Sequence, residues 1–181
     1  TIGNLGIRLF AQHMPPNVEC WAPNYEVDRI IRERVMRGGF CFASRQYHGP
    51  IWKYDINQAY AAAMRDAPLP SGRCLRTFEY QPDVCAIYLV KGEKHGNRVP
   101  FYVRNLDTGS GMAIFEHLDA WITSIEYDQL VGEGWRLEIR DGYYWDAHFS
   151  MVDYVTRLES LRINAPGGPK SAQGVMMKSI G

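Results

Sequence analysis

The stretch from Tyr54 to Gly72 reads YDINQAYAAAMRDAPLPSG, and it constrains the fold more than any other part of the chain. From Ile51 to Asn57 the residues alternate, with Trp52, Tyr54 and Ile56 on one face and Lys53, Asp55 and Asn57 on the other, which predicts a strand. Gln58 to Asp66 then reads as a helix, favoured by Ala61, Ala62 and Ala63. Pro68 and Pro70 stop it in a Pro-Leu-Pro-Ser-Gly turn. A strand that passes at once into a helix leaves Asp55 beside the first helical turn, where unpaired N–H groups attract anions. Two readings of Asp55 follow. It caps the helix, or it shares a divalent cation with a bound phosphate, since Mg²⁺ commonly takes one or two carboxylates plus substrate phosphates.

The flanking chain mixes both periods. Ile2 to Gln12 predicts a short helix or strand, broken by Pro15-Pro16. In Glu26 to Met36 the apolar residues Val27, Ile30, Ile31 and Val35 lie near one helical face, and Gly38-Gly39 ends that helix. Phe40 to Ser44 reads as a strand and His48 to Pro50 as a turn. Val84 to Lys91 and Val99 to Arg104 predict two strands of one hairpin. A polar loop from Leu106 to Met112, a short strand from Ala113 to Glu116, a helix from Ser124 to Val131 and a strand from Trp135 to Tyr144 follow. Met151 to Arg162 is an amphipathic helix with Met151, Val152, Val155, Leu158 and Leu161 on its apolar side. Pro166-Gly-Gly-Pro169 connects it to a further helix from Lys170, with Pro169 suited to the first position. Strands and helices in this mixed order, joined by hairpins rather than βαβ units, predict an α+β fold with an antiparallel sheet.

Length and charge exclude some classes. With 181 residues the chain fits one domain or one and a half. Twenty basic and 20 acidic side chains cancel, so the chain lacks the overall basic signature of a nucleic-acid binder, although a balanced sum can hide a basic face. Cys20, Cys41, Cys74 and Cys85 form no C-x-x-C pair, and the five histidines have no metal-ligand spacing. The thiols are read as reduced and the location as cytoplasmic. No signal peptide or bilayer-length apolar run is visible. The chain starts at Thr1 and stops inside a predicted helix at Gly181, so it is expected to be a piece of a larger protein.

Several residues are candidates for binding a phosphorylated ligand. In a continuous helix Lys170, Gly174 and Lys178 share one face, with Gly174 leaving room for a ligand. Arg157 and Arg162 point roughly 140° apart and would hold different groups. These cations form either a phosphate wall or a solvated face. Tyr60 either stacks under a sugar or fills the core. Arg37-Gly38-Gly39 either lets a backbone approach a phosphate or simply stops a helix.

The order of these segments resembles the protein-primed family B DNA polymerases of bacteriophages and linear plasmids. The first catalytic motif of that family, Asp-x-x-Ser-Leu-Tyr-Pro, is matched by Asp55-Ile-Asn-Gln-Ala-Tyr60-Ala, followed by Met64 and the Pro-Leu-Pro-Ser-Gly turn. Met36-Arg-Gly-Gly39 resembles the Tyr-x-Gly-Gly motif, and the opening Thr1 to Phe10 resembles the segment after the exonuclease domain. Met151 to Arg162 resembles the helix that carries basic residues to the primer end, and Lys178 the lysine of Lys-x-x-x-Asn-Ser-x-Tyr-Gly. Gln58 stands where the family has Ser, Ala61 where it has Pro, and Met36 where it has Tyr. Asp107-Thr-Gly does not match Tyr-x-Asp-Thr-Asp, the motif with the second metal-binding Asp.

The resemblance implies a palm-type sheet with packed helices and the beginning of a helical fingers subdomain. Residues 1–106 would be the first part of the palm, 107–148 an insertion that contacts terminal protein and DNA, and 149–181 the start of the fingers. It implies nucleotidyl transfer from a dNTP to a primer 3′-hydroxyl, with two Mg²⁺ (or Mn²⁺) ions in the complete enzyme. Asp55 would hold metal and, with Lys178, be catalytic. Ile56, Asn57, Tyr60, Arg162 and Lys170 would bind the nucleotide. Arg37, Gly38, Gly39 and Arg157 would bind DNA. The implied partners are primer-template DNA, dNTP and a terminal protein primer, with no membrane, in a host cytoplasm if the source is viral. A non-catalytic DNA- or protein-binding module derived from such a palm is the alternative class.

Overall fold

The computed structural model describes residues 2–19, 21–37, 48–50, 52, 59–104 and 111–178. The chain divides into two compact units. One comprises Thr1–Glu19, Ile51–Ser71 and His148–Gly181, and the other Cys20–Pro50 and Gly72–Ala147. The architecture is α+β, with an antiparallel sheet and packed helices.

The second unit is built around strands β1 (Leu69–Thr77), β2 (Ala86–Glu93), β5 (His117–Thr123) and β6 (Arg136–Phe149), in the order β1-β6-β2-β5. β2 runs antiparallel to both β5 and β6. Alternation along β2 decides the two faces. Ala86, Tyr88 and Val90 enter a core with Val103, Leu118, Ile122, Leu130 and Trp135. Ile87 enters the opposite core with Val27, Tyr143 and Trp145. Helix α4 (Ser124–Gly132) supplies Leu130 to the first core, and helix α2 (Tyr25–Ile30) supplies Val27 to the second. In β6 the register slips opposite Leu89 and Val90, whose partners are Asp141 and Ile139, so Arg140 is the extra residue of a bulge. The bulge shifts the alternation: Leu137 and Ile139 before it and Tyr144 after it all pack on the first core. At Gly142 the Tyr88 ring comes so close that a Cβ would lie 2.8 Å from its Cδ1.

The expected hairpin between residues 84–91 and 99–104 does not form. Each segment contains a strand, but β3 (Phe101–Arg104) pairs with β4 (Gly111–Ile114) in a separate two-stranded sheet. β2 has both its edges occupied, by β5 and β6, so no edge is left for β3. β5 lies in a stretch whose reading predicts only the helix after it. The Pro-Leu-Pro-Ser-Gly segment is the start of β1 rather than a turn. β1 is an edge strand, the place in a sheet where a proline such as Pro70 is tolerated. Gly72 takes φ +74°, and the Asp146 carboxylate accepts from Arg73 N at 2.7 Å. Arg76 adds a two-pronged bond to Asp141, 2.9 Å at each oxygen, which holds that carboxyl below the usual range.

The helix expected over residues 26–36 is present, but its last turn, Ile31–Val35, widens to a π turn closed by Met36 N on Ile31 O at 2.7 Å. Ile30, Ile31 and Val35 all reach the second core. Cys74 and Cys85 are half-buried beside it, and burial pushes both thiols up. The segment 2–12 is helical, forming α1 (Ile2–His13). The strands read over 40–44 and 51–57 lie outside the described residues, apart from Trp52.

Three tyrosines close one end of the first core. Tyr80 stacks on Tyr127 with centroids 5.1 Å apart, and Tyr127 meets Tyr88 edge-on at 5.5 Å. The Tyr80 hydroxyl donates to Asp128 at 2.9 Å, and this bond is the main reason its pKa is pushed up to about 12. The folded chain therefore keeps a proton that the unfolded chain releases near 10.0. The contribution of this pair is complete below that pH and is lost as pH rises toward about 12. In Asp128→Asn, alkaline absorbance titration should show one tyrosine moving to lower pH than in the wild type. An unchanged titration would remove the hydrogen bond from the account.

Candidate nucleotide and nucleic-acid site

The first unit gathers around helix α5 (Val152–Ile163), which packs against α1, α3 (Ala59–Asp66) and α6 (Ala172–Lys178). Met151, Tyr154, Val155 and Leu158 form its buried face, against Leu9, Phe10, Ala61, Met64, Leu69 and Phe149. Tyr154, outside the predicted apolar stripe, is buried, whereas Val152 is 41% exposed. The helix opens one residue later than read, so Val152 sits in its first turn, away from the packed face. Phe10 and His13 meet the Tyr154 ring edge-on, at 5.7 and 6.2 Å.

This packing brings together helices that carry four of the sequence candidates. Tyr60 lies in α3, next to Ala61, which with Met64 contacts the α5 cluster. Arg157 and Arg162 lie on α5, and Lys178 is the last residue of α6. Arg157 is exposed and Arg162 half-buried. Arg162 sits in the last turn of α5, where a cation is favoured by the helix dipole. Its Nε is buried and has no hydrogen-bond partner among the described residues. An unmet buried donor costs about 1–3 kcal/mol, so an anion brought to this guanidinium gains more than one brought to a solvated arginine.

Lys170 departs from its predicted place. Helix α6 begins at Ala172 because Ser171 caps it. The Ser171 hydroxyl accepts from Gly174 N at 3.2 Å, and its carbonyl accepts from Val175 N at 2.8 Å. Lys170 and Pro169 therefore precede the helix, and Lys170 is an exposed turn residue that does not share the face of Gly174 and Lys178. Nor does Gly174 leave room for a ligand. A Cβ there would lie 2.6 Å from Pro169 O and 2.8 Å from Gly168 O, so the chain's own turn fills the space.

Arg37 belongs to the second unit and is tied into it. Its Nη1 donates to Glu126 Oε1, its Nη2 donates to Trp121 O at 3.0 Å, and the guanidinium lies 4.8 Å from the centroid of the Phe101 ring. Glu126 was no sequence candidate. Thr123-x-x-Glu126 is a legible capping box, but nothing local announces a partner 89 positions away. Asp55, Ile56, Asn57, Gly38 and Gly39 lie outside the described residues, as does Asp107. Among the described residues no group of three or more His, Cys, Asp or Glu side chains is placed to hold a metal ion. Among them, too, no helix is long and apolar enough to cross a membrane.

Comparisons with known proteins agree on the family. The model of the family described as DNA polymerase type B, organellar and viral, matches residues 1–180. A DNA polymerase of Kluyveromyces lactis is 27% identical over 142 residues, covering 76% of this chain and 14% of that protein. The solved structure of Phi29 DNA polymerase in an orthorhombic crystal form superposes with TM-score 0.70 and 16% identity, over 99% of this chain and 34% of that one. Phi29 DNA polymerase complexed with primer-template DNA and incoming nucleotide gives 0.68 and 17%, over 99% and 35%. At that identity the likeness is one of fold. The chain thus spans about a third of the solved polymerase and a seventh of the curated one.

Proposed function

We propose a function from one premise: the chain belongs to the organellar and viral type B DNA polymerases. Within such an enzyme it supplies the palm's first catalytic motif and the start of the fingers, for template-directed transfer of a nucleotide from dNTP to a primer 3′-hydroxyl. The observation that carries this reading is the family match over residues 1–180, which includes the Asp55 to Tyr60 motif. Residues 1–106 form the first palm part, 107–148 the insertion toward terminal protein and DNA, and 149–181 the beginning of the fingers. Priming by a terminal protein, and a cytoplasmic site of action, belong to the same proposal.

The residues divide the work as follows. Asp55 would offer a carboxylate of the hard-oxygen type that Mg²⁺ or Mn²⁺ takes, and ions held there would supply charge stabilisation at the attacking and leaving oxygens. Ile56 and Asn57 are assigned to binding the triphosphate, through their backbone N–H groups. Arg162, with its unmet Nε, and Lys178 neutralise the β- and γ-phosphates. Lys170, exposed in the turn before α6, approaches the same phosphates from outside the helix. Arg157, exposed on α5, steadies the primer end. Gly38 and Gly39 let the template backbone come close, with Arg37 beside them.

Tyr60 packs against the sugar and excludes a 2′-hydroxyl. Tyr60→Val should therefore raise ribonucleotide incorporation relative to deoxyribonucleotide, on the order of tenfold or more in the ratio of kcat/KM values. Competitive single-nucleotide extension measures that ratio. A ratio equal to the wild type's would reduce Tyr60 to a core residue.

A further inference from the structure

The connection from α5 to α6 reads Ala165-Pro-Gly-Gly-Pro-Lys-Ser171. Pro166 and Pro169 fix φ on either side of two glycines, and Gly167 and Gly168 take φ +82° and +84°, where a side chain would be strained. Three backbone bonds close the turn: Ala165 N donates to Arg162 O at 3.4 Å, Gly168 N to Ala165 O at 2.7 Å and Ser171 N to Gly168 O at 3.0 Å. Gly174, in the first turn of α6, is buried against it. A Cβ at Gly174 would meet Pro169 O at 2.6 Å, Pro169 C at 2.7 Å and Gly168 O at 2.8 Å. All three are backbone atoms, so no side chain can swing away to admit it. Either α6 or the turn has to move. The Pro169 carbonyl belongs to the peptide bond that leads into Lys170, so a shift of the turn carries Lys170 with it.

We propose that Gly174 is a positioning residue for nucleotide binding: with no side chain, it lets α6 seat against the Gly168 and Pro169 carbonyls and so fixes the backbone from which Lys170 reaches a triphosphate. The inference rests on the reading of Lys170 as a phosphate ligand. Gly174 itself touches no nucleotide, because the chain's own carbonyls fill the space beside it. Its effect is to order the Lys170 backbone before the ligand arrives. Only the exposed lysine side chain then remains to be ordered on binding.

Gly174→Ala in the full polymerase, at saturating primer-template, should raise the KM for dNTP about tenfold, below the roughly hundredfold that a 1 Å misplacement can reach. The kcat should change less than about twofold, as for a lost ground-state contact. Primer-template affinity, measured by fluorescence anisotropy, should stay the same. Lys170→Met supplies the readout that a merely structural role would not move. It should raise the KM by itself, and adding Gly174→Ala to it should raise the KM less than about twofold further, since both changes act through one ammonium. Pro169→Ala frees the turn without crowding it. It should raise the KM with the same dependence on Lys170, and it carries the test if Gly174→Ala does not fold. A tenfold effect of Gly174→Ala that persists in Lys170→Met would overturn the inference, as would equal losses of nucleotide and DNA binding. So would an unchanged KM in both Gly174→Ala and Pro169→Ala, in an enzyme whose KM responds to Lys170→Met. A KM that Lys170→Met leaves unmoved would remove the reading of Lys170, and the inference with it.

Discussion

Asp55→Asn in the complete polymerase should lower nucleotide incorporation by about a thousandfold or more while primer-template binding changes little. The substitution keeps the size and hydrogen-bonding capacity of the side chain and removes its charge. A neutral amide is a poor ligand for a hard divalent cation beside a triphosphate, where carboxylates are what offsets the ion's charge. Metal stabilisation of the two oxygens of an in-line displacement is worth several kcal/mol, and each 1.36 kcal/mol is about tenfold in rate. In the proposed function DNA affinity is assigned to other residues, Arg157 and the Gly38-Gly39 backbone among them, and so should persist. Single-turnover incorporation and anisotropy on the same variant separate the two quantities. Near-normal incorporation would leave Asp55 as a helix cap, the plainer of the two readings the sequence allows.

Tyr88→Ala should cost about 3–5 kcal/mol of stability, the range for removing a large aromatic side chain from a packed core. Tyr88 is 0% exposed, touches Tyr80 and Tyr127, and fits against Gly142, where a Cβ would collide with it. Its hydroxyl also accepts from Gln81 N at 3.0 Å, a backbone group that truncation would leave without this acceptor. Tyr88→Phe keeps the ring and loses only the hydroxyl's two bonds to the Gln81 backbone, the second a long one at 3.4 Å, so it should cost about 1 kcal/mol. Urea midpoints of the two variants give the comparison. A cost for Tyr88→Ala below that of Tyr88→Phe would mean the aromatic cluster contributes no packing.

What was legible in the sequence is what depends on local period. Helices α4 and α5 and strands β2 and β6 follow from spacing, with ends displaced by a residue or a few. What was hidden depends on partners far along the chain. Pro70 and Gly72 read as a turn until β1 is known to be an edge, with Asp146 bonding Arg73 N across from it. The pairing of β2 with β5 and β6, in place of a hairpin with β3, is decided by competition for two edges, and no short window contains that competition. Lys170 was assigned to a helix by its spacing, but the capping power of Ser171 sets the start after it. For the site, the candidates Asp55, Tyr60 and Lys178 rest on residue types and their order alone. The tie of Glu126 to Arg37 was not legible, since it spans 89 positions.

The central claim is that Asp55 sits at a divalent metal site of a polymerase. The most direct test replaces Mg²⁺ by Fe²⁺ in the full polymerase bound to primer-template and dNTP, starts hydroxyl-radical chemistry with ascorbate and peroxide, and maps the backbone cuts. The account predicts cleavage beside Asp55 that excess Mg²⁺ suppresses and Asp55→Asn abolishes. Cleavage confined to other parts of the chain, or cuts beside Asp55 that persist in Asp55→Asn, would contradict it.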